Sequence, residues 1–143
     1  MRLFIFISLL SSFLMASSQT YEKIDLSTSI SIDVNGDGSD ENISFTKGEC
    51  AQIMIQGDSE YLFGCGSKTY FEFPSQLEWV DYWGIFPKQK TEEGILNSNG
   101  DLEVRSIVMQ NDGIFLMKEE DGLIIIGVLT FMEGKPYWIH QYC

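Results

Sequence analysis

Nine consecutive residues, Asp33-Val34-Asn35-Gly36-Asp37-Gly38-Ser39-Asp40-Glu41, space their oxygen-bearing side chains as a hard cation requires. Counted from Asp33, side-chain oxygens fall at positions 1, 3, 5 and 9, on Asp33, Asn35, Asp37 and Glu41. Ser39 at position 7 can add its backbone carbonyl, and Gly38 at position 6 permits the sharp turn such a loop needs. The implied chemistry is coordination of Ca2+. Three carboxylates with Asp40 beside them repel one another, and a bound cation relieves that repulsion. The ion is expected to be structural.

Other residue types offer less. His140 is the single histidine and alternates with Trp138 and Tyr142, as an ordinary strand residue would. Gly64-Cys65-Gly66-Ser67-Lys68-Thr69 has the glycines of a phosphate loop, but Ser67 splits the required Gly-Lys pair and no helical pattern follows. Glu92-Glu93 and Glu119-Glu120 are sequence neighbours and read as solvated surface. No catalytic residue is expected, and the chain is read as a non-enzyme.

The elements that must position the loop are strands. Ile30, Ile32 and Val34 alternate with Ser29, Ser31 and Asp33 on one side, and Ile43 and Phe45 alternate with Ser44 and Thr46 on the other. Further alternating or apolar runs cover Thr69–Phe73, Leu102–Gln110, Ile114–Lys118, Leu123–Phe131 and Tyr137–Tyr142, the fourth apolar enough to be a central strand. Pro74–Pro87 is aromatic and reads as irregular, and Lys88–Asp101 reads as a polar connector with Asn97, Asn99 and Gly100 forming a turn. Helix is expected to be minor, within Ser75–Tyr82. The fold class is therefore all-β: an antiparallel sandwich or partly open barrel of about eight to nine strands.

Cys50 and Cys65 flank two runs joined at Gly57-Asp58, which predicts a hairpin with a two-residue turn. That register pairs Gln56 with Ser59 and sets Cys50 opposite Cys65, favouring a disulfide between them. Cys143 remains a rival partner, because a terminal strand beside this hairpin would reach either sulfur.

The loop pattern D-x-N-x-D-G-x-x-E, flanked by strands and with Ser44 at position 12, lacks the helices and terminal glutamate of an EF-hand. It resembles the calcium loops of FG-GAP and VCBS-type repeats, found in propellers and in many exported bacterial proteins. The resemblance covers about Ile30–Phe45 and implies that Asp33, Asn35, Asp37, Ser39 and Glu41 ligate calcium. A single copy excludes a propeller, which needs several blades. Separately, Thr46-Lys47-Gly48 is similar to the Thr-Lys-Gly motif of c-type lysozyme inhibitors, small exported β-barrels; Asn42 stands where that family has Tyr.

Met1–Ser18 has the parts of a secretory leader: Arg2, an apolar run from Leu3 to Leu14, and small residues at Ala16 and Ser18. The run falls short of the ~20 apolar residues of a membrane span, and no cysteine stands where a lipobox would place one. A periplasmic or secreted single domain, residues 19–143, is expected. The chain carries 9 basic and 21 acidic residues. That balance disfavours nucleic acid and favours a cation or a basic protein as partner. Trp79, Tyr82, Trp83 and Phe86, interleaved with acidic residues, have the composition of a partner-binding segment. The leading expectation is an exported domain acting by protein contact, such as an inhibitor or immunity protein against a basic lysozyme-like hydrolase. The alternative is a carbohydrate-binding or adhesin-like module.

Overall fold

A computed structural model describes residues 21–66 and 73–141. The expected leader, the expected strand residues Thr69 and Phe71, and Cys143 as a rival disulfide partner lie outside these residues. Ten strands run in chain order: β1 (Ile30–Ile32), β2 (Glu41–Thr46), β3 (Gln52–Gln56), β4 (Glu60–Gly64), β5 (Tyr82–Phe86), β6 (Lys90–Leu96), β7 (Leu102–Val108), β8 (Gly113–Glu119), β9 (Leu123–Met132) and β10 (Lys135–His140). All pairings are antiparallel, and there is no helix among the described residues. One sheet has the order β1-β2-β3-β4, a second β10-β9-β8-β5, and β6-β7 form a separate ribbon.

The two four-stranded sheets make a β-sandwich. Ile43, Phe45, Ile53, Ile55 and Phe63 of the first pack against Trp83, Ile114, Leu116, Leu129 and Phe131 of the second. Because successive side chains point to opposite faces of a strand, the remaining residues of the second sheet need their own cover. Phe86, Phe115, Met117, Val128 and Ile139 form that outer layer, with Tyr21 and Ile107 of β7 packed against it. The second sheet is thus covered on both sides, which explains why β8 is buried over five consecutive residues, Gly113–Met117. A bulge between Leu116 and Met117 interrupts its pairing with β9.

The ribbon is pinned to β10 by a buried carboxylate. Glu93 of β6 is 3% exposed; its Oε1 accepts from Arg105 Nε at 2.6 Å, and the Tyr137 hydroxyl lies 2.9 and 3.0 Å from its two oxygens. Burial, followed by the bond to Glu93, pushes the Tyr137 phenol above its ordinary range. Glu93 in turn raises the already high pKa of Arg105. Removing a donor from a buried carboxylate leaves it under-satisfied, so Tyr137→Phe is expected to cost about 1–2 kcal/mol. Urea unfolding measures this, and an unchanged midpoint would show that the hydroxyl does not support the ribbon.

Four expectations need correction. Tyr82–Phe86 is the strand β5 rather than irregular chain, and Lys90–Leu96 is the strand β6 rather than a connector; the described residues hold ten strands, against the expected about eight to nine. Ser75–Tyr82 contains a turn, with Val80 N–H donating to the Leu77 carbonyl, and no helix. The Cys50–Cys65 hairpin pairs Gln56 with Glu60, so its loop has three residues and its register is shifted by one. The disulfide nevertheless forms, with a Cα–Cα separation of 5.2 Å. The shift is absorbed at the end of β4, where Gly64 and Cys65 have φ of 95° and 53°. Gly64 is required there: a Cβ would stand 2.4 Å from the Ala51 carbonyl oxygen.

Candidate functional site

The loop between β1 and β2 is built by its own side chains folding onto its own backbone. Asp33 Oδ1 accepts from the N–H groups of Gly36 and Asp37 at 2.7 and 3.1 Å, and its Oδ2 accepts from Gly38 at 2.8 Å. Asn35 Oδ1 accepts from Asp37 N–H and Asp37 Oδ1 from Ser39 N–H, both Asx-type turns. Gly36 and Gly38 take φ of 80° and 91°, the left-handed region that glycine enters without strain. The loop's shape is thus supported by bonds between residues at most five apart in the chain.

Glu41, the first residue of β2, closes the site from below. It is 2% exposed, with Oε2 accepting from Val34 N–H at 2.9 Å and Oε1 from Asn35 Nδ2 at 2.8 Å. The loop is also anchored across the sandwich. Gly36 lies against Asn111, whose amide oxygen would be 2.3 Å from a Cβ at position 36, and Asn111 Nδ2 donates to the Phe131 carbonyl of β9.

Of the expected ligands, Asp33, Asp37 and Glu41 are brought together: one carboxylate oxygen from each lies within 4.8 Å of the others. Calcium bonds oxygen at about 2.3–2.6 Å, so two ligands of one ion stand at most about 5 Å apart, and the cluster meets that limit. The donor set is hard and anionic, as calcium prefers. These residues could hold a metal ion. Asn35 instead turns its Nδ2 toward the carboxylates, 3.3 Å from Asp37 Oδ2 as well as bonded to Glu41. Ser39 contributes its N–H to Asp37, and its side chain is exposed.

The expected aromatic contact segment divides. Trp83 is 0% and Phe86 3% exposed; both belong to the core and cannot anchor a partner. Trp83 sits edge-on to Phe45, at 5.8 Å between ring centroids, and its Nε1 donates to the Asp25 carbonyl. Phe86 stacks on Tyr21 at 4.8 Å. Trp79 and Tyr82 are half-buried: Trp79 Nε1 bonds the Gln76 carbonyl, and the Lys23 ammonium lies 4.2 Å from the centre of the Tyr82 ring. β5 is covered on both faces, so Trp83 is buried in one layer of core and Phe86 in the other, while Tyr82 opens the strand and Trp79 precedes it; the aromatic composition gave no sign of this.

Thr46 ends β2, and Lys47 and Gly48 are exposed in the following loop. Lys47 lines a hollow with Asp25, Ser27, Phe45 and Asp81. Asp25 is held below the usual carboxylate range, first by the Ser27 hydroxyl and then by its N–H. Nearby, Glu78 accepts from Ala51 N–H at 3.2 Å, which lowers its pKa in the same way. His140 is exposed at the end of β10, beside Trp138 and Leu96. No protein-family model, curated protein or solved structure matches this chain.

Proposed function

We propose that this chain is an exported, calcium-binding β-domain that acts by protein contact rather than by catalysis. The observation that carries the reading is the gathering of Asp33, Asp37 and Glu41 within 4.8 Å on a loop already shaped by its own hydrogen bonds. Asp33, Asp37 and Glu41 would hold the ion, and the ion would supply the positive charge that offsets their repulsion. The likeness of the loop to FG-GAP and VCBS-type calcium loops supports the same ion.

The partner we propose is a basic exported protein, such as a lysozyme-like hydrolase, which the chain would bind as an envelope inhibitor or immunity protein. The support is the formal charge of −12, which steers basic partners toward the surface. Sugar stacking has less to stand on, because Trp83 and Trp138 are buried and Trp79 is half-buried. Immobilised protein, with calcium and with chelator, tests the reading against an extract of basic envelope proteins and against lysozyme activity. Specific capture or inhibition that weakens as salt rises is expected. If no basic protein is retained and lysozyme is unaffected, the contact reading fails.

A further inference from the structure

The ribbon β6-β7 has two unequal faces. Thr91, Glu93 and Ile95 of β6, with Arg105 and Ile107 of β7, share the face on which Glu93 is buried against Tyr137. The opposite face carries Leu96, Leu102, Val104 and Val108, which are 73, 40, 50 and 66% exposed. Six of the seven residues of β7 are exposed.

Among the described residues β7 pairs only with β6, so its outer edge presents a row of N–H and C=O groups with no described strand beside it. Three other edges, those of β5, β1 and β10, are guarded in the ways such edges usually are. Ile24 exchanges backbone bonds with Trp83 along the free side of β5. β1 has three residues, and β10 begins with Lys135-Pro136. β7, Leu-Glu-Val-Arg-Ser-Ile-Val, has no lysine or proline and pairs with β6 without a bulge.

We propose that a second copy of this chain pairs with that edge, β7 to β7, antiparallel about a two-fold axis through Val104. The choice of a second copy rests on charge complementarity of the strand with itself. A two-fold register centred on Val104 sets Glu103 of each copy opposite Arg105 of the other and Leu102 opposite Ser106. Moving the axis by one residue sets Arg105 on Arg105 or Glu103 on Glu103, and like charges directly opposite are destabilising. The Arg105 side chain uses Nε on Glu93 and Nη2 on the Tyr137 hydroxyl and is still 55% exposed, so donors remain for an acceptor across the edge. The product is a four-stranded ribbon, β6-β7-β7-β6, with the apolar residues of both copies on one face. Such isologous pairing closes on itself and does not propagate.

Sedimentation of the purified protein over about a hundredfold range of concentration tests this, in a Cys143→Ser background that prevents adventitious crosslinks. A reversible monomer–dimer equilibrium is expected. Val104→Lys, at an exposed position, is expected to weaken it by at least about tenfold by placing two ammonium groups face to face. Glu103→Lys should weaken it similarly by opposing Arg105. The register is read by oxidation: Val104→Cys should crosslink through its own symmetry mate, since either type of antiparallel pair lies within disulfide range. Ser106→Cys, opposite Leu102, should not. A chain that stays monomeric throughout overturns the proposal and leaves the edge to an extended segment of a different protein. A dimer indifferent to both lysines, or crosslinked equally through position 106, overturns it too.

Discussion

Trp83→Ala is expected to lower the free energy of unfolding by about 3–5 kcal/mol, the range for deleting a large buried aromatic. The indole is fully buried and meets Phe45 edge-on, so truncation opens a cavity between the two sheets. It also strips the Asp25 carbonyl of its 3.2 Å donor. The backbone of Trp83 is the point where the N-terminal segment joins the second sheet, through the reciprocal bonds with Ile24. Loosening the ring therefore loosens an edge as well as a core. Against a typical domain stability of about 5–15 kcal/mol, the loss is a large fraction of the total. Guanidinium titration would show a lower midpoint at similar slope, since the surface exposed on unfolding changes little. A contact residue would behave in the opposite way, with stability kept and capture of a partner lost. Trp79→Ala, at a half-buried ring, should cost visibly less. A Trp83→Ala protein as stable as the parent would contradict the core assignment.

That contrast marks where the sequence could be read and where it could not. Strand alternation located β1, β2, β7 and β10, and an unbroken apolar run located β8, because in each of them the pattern ends at a turn, at Gly36, Gly100, Asn111-Asp112-Gly113 or Glu133-Gly134. β5 was hidden because its residues are buried between two different apolar layers, so Tyr82, Trp83, Gly84 and Phe86 show no polar alternation. β6 was hidden for the opposite reason. Lys90-Thr91-Glu92-Glu93 is polar on both faces, and Glu93 is buried only because Arg105 and Tyr137, 12 and 44 residues away, supply its donors. No local pattern records partners at that separation. The hairpin register shows a third limit. Counting outward from Gly57-Asp58 placed the cysteines opposite each other, but the loop takes Ser59 too, and the positive φ of Gly64 and Cys65 restores the sulfur contact. The loop at Asp33–Glu41 was legible because its interactions are local: Asp33, Asn35 and Asp37 bond N–H groups two to five residues ahead. The burial of Glu41 beneath it was not, since that depends on β2 lying at the bottom of the loop and on Gly57 packing over its Cγ.

Calcium is expected to stabilise the folded chain by about 2.7 kcal/mol when the free ion exceeds its dissociation constant a hundredfold. Exposed extracellular calcium modules commonly bind at about 10⁻⁴–10⁻³ M, so the comparison should be made in about 10–100 mM calcium against chelator. For a domain of this size each kcal/mol moves the melting midpoint by roughly 3–5 °C, giving a shift of roughly 10 °C. Two variants separate the ion from the loop. Asp37→Asn keeps an oxygen for the Ser39 N–H while removing the charge and the weak 3.3 Å acceptor of Asn35 Nδ2, so it should melt close to the parent in chelator and lose most of the calcium increment. Asp33→Ala removes the acceptor of three N–H groups and should melt lower than the parent even in chelator. Magnesium should substitute poorly, because it demands a tighter octahedral shell and dehydrates reluctantly. If the parent melts identically with calcium and with chelator, the carboxylates at 33, 37 and 41 serve the turn alone. In that event Asp37→Asn and the parent would also be indistinguishable in calcium.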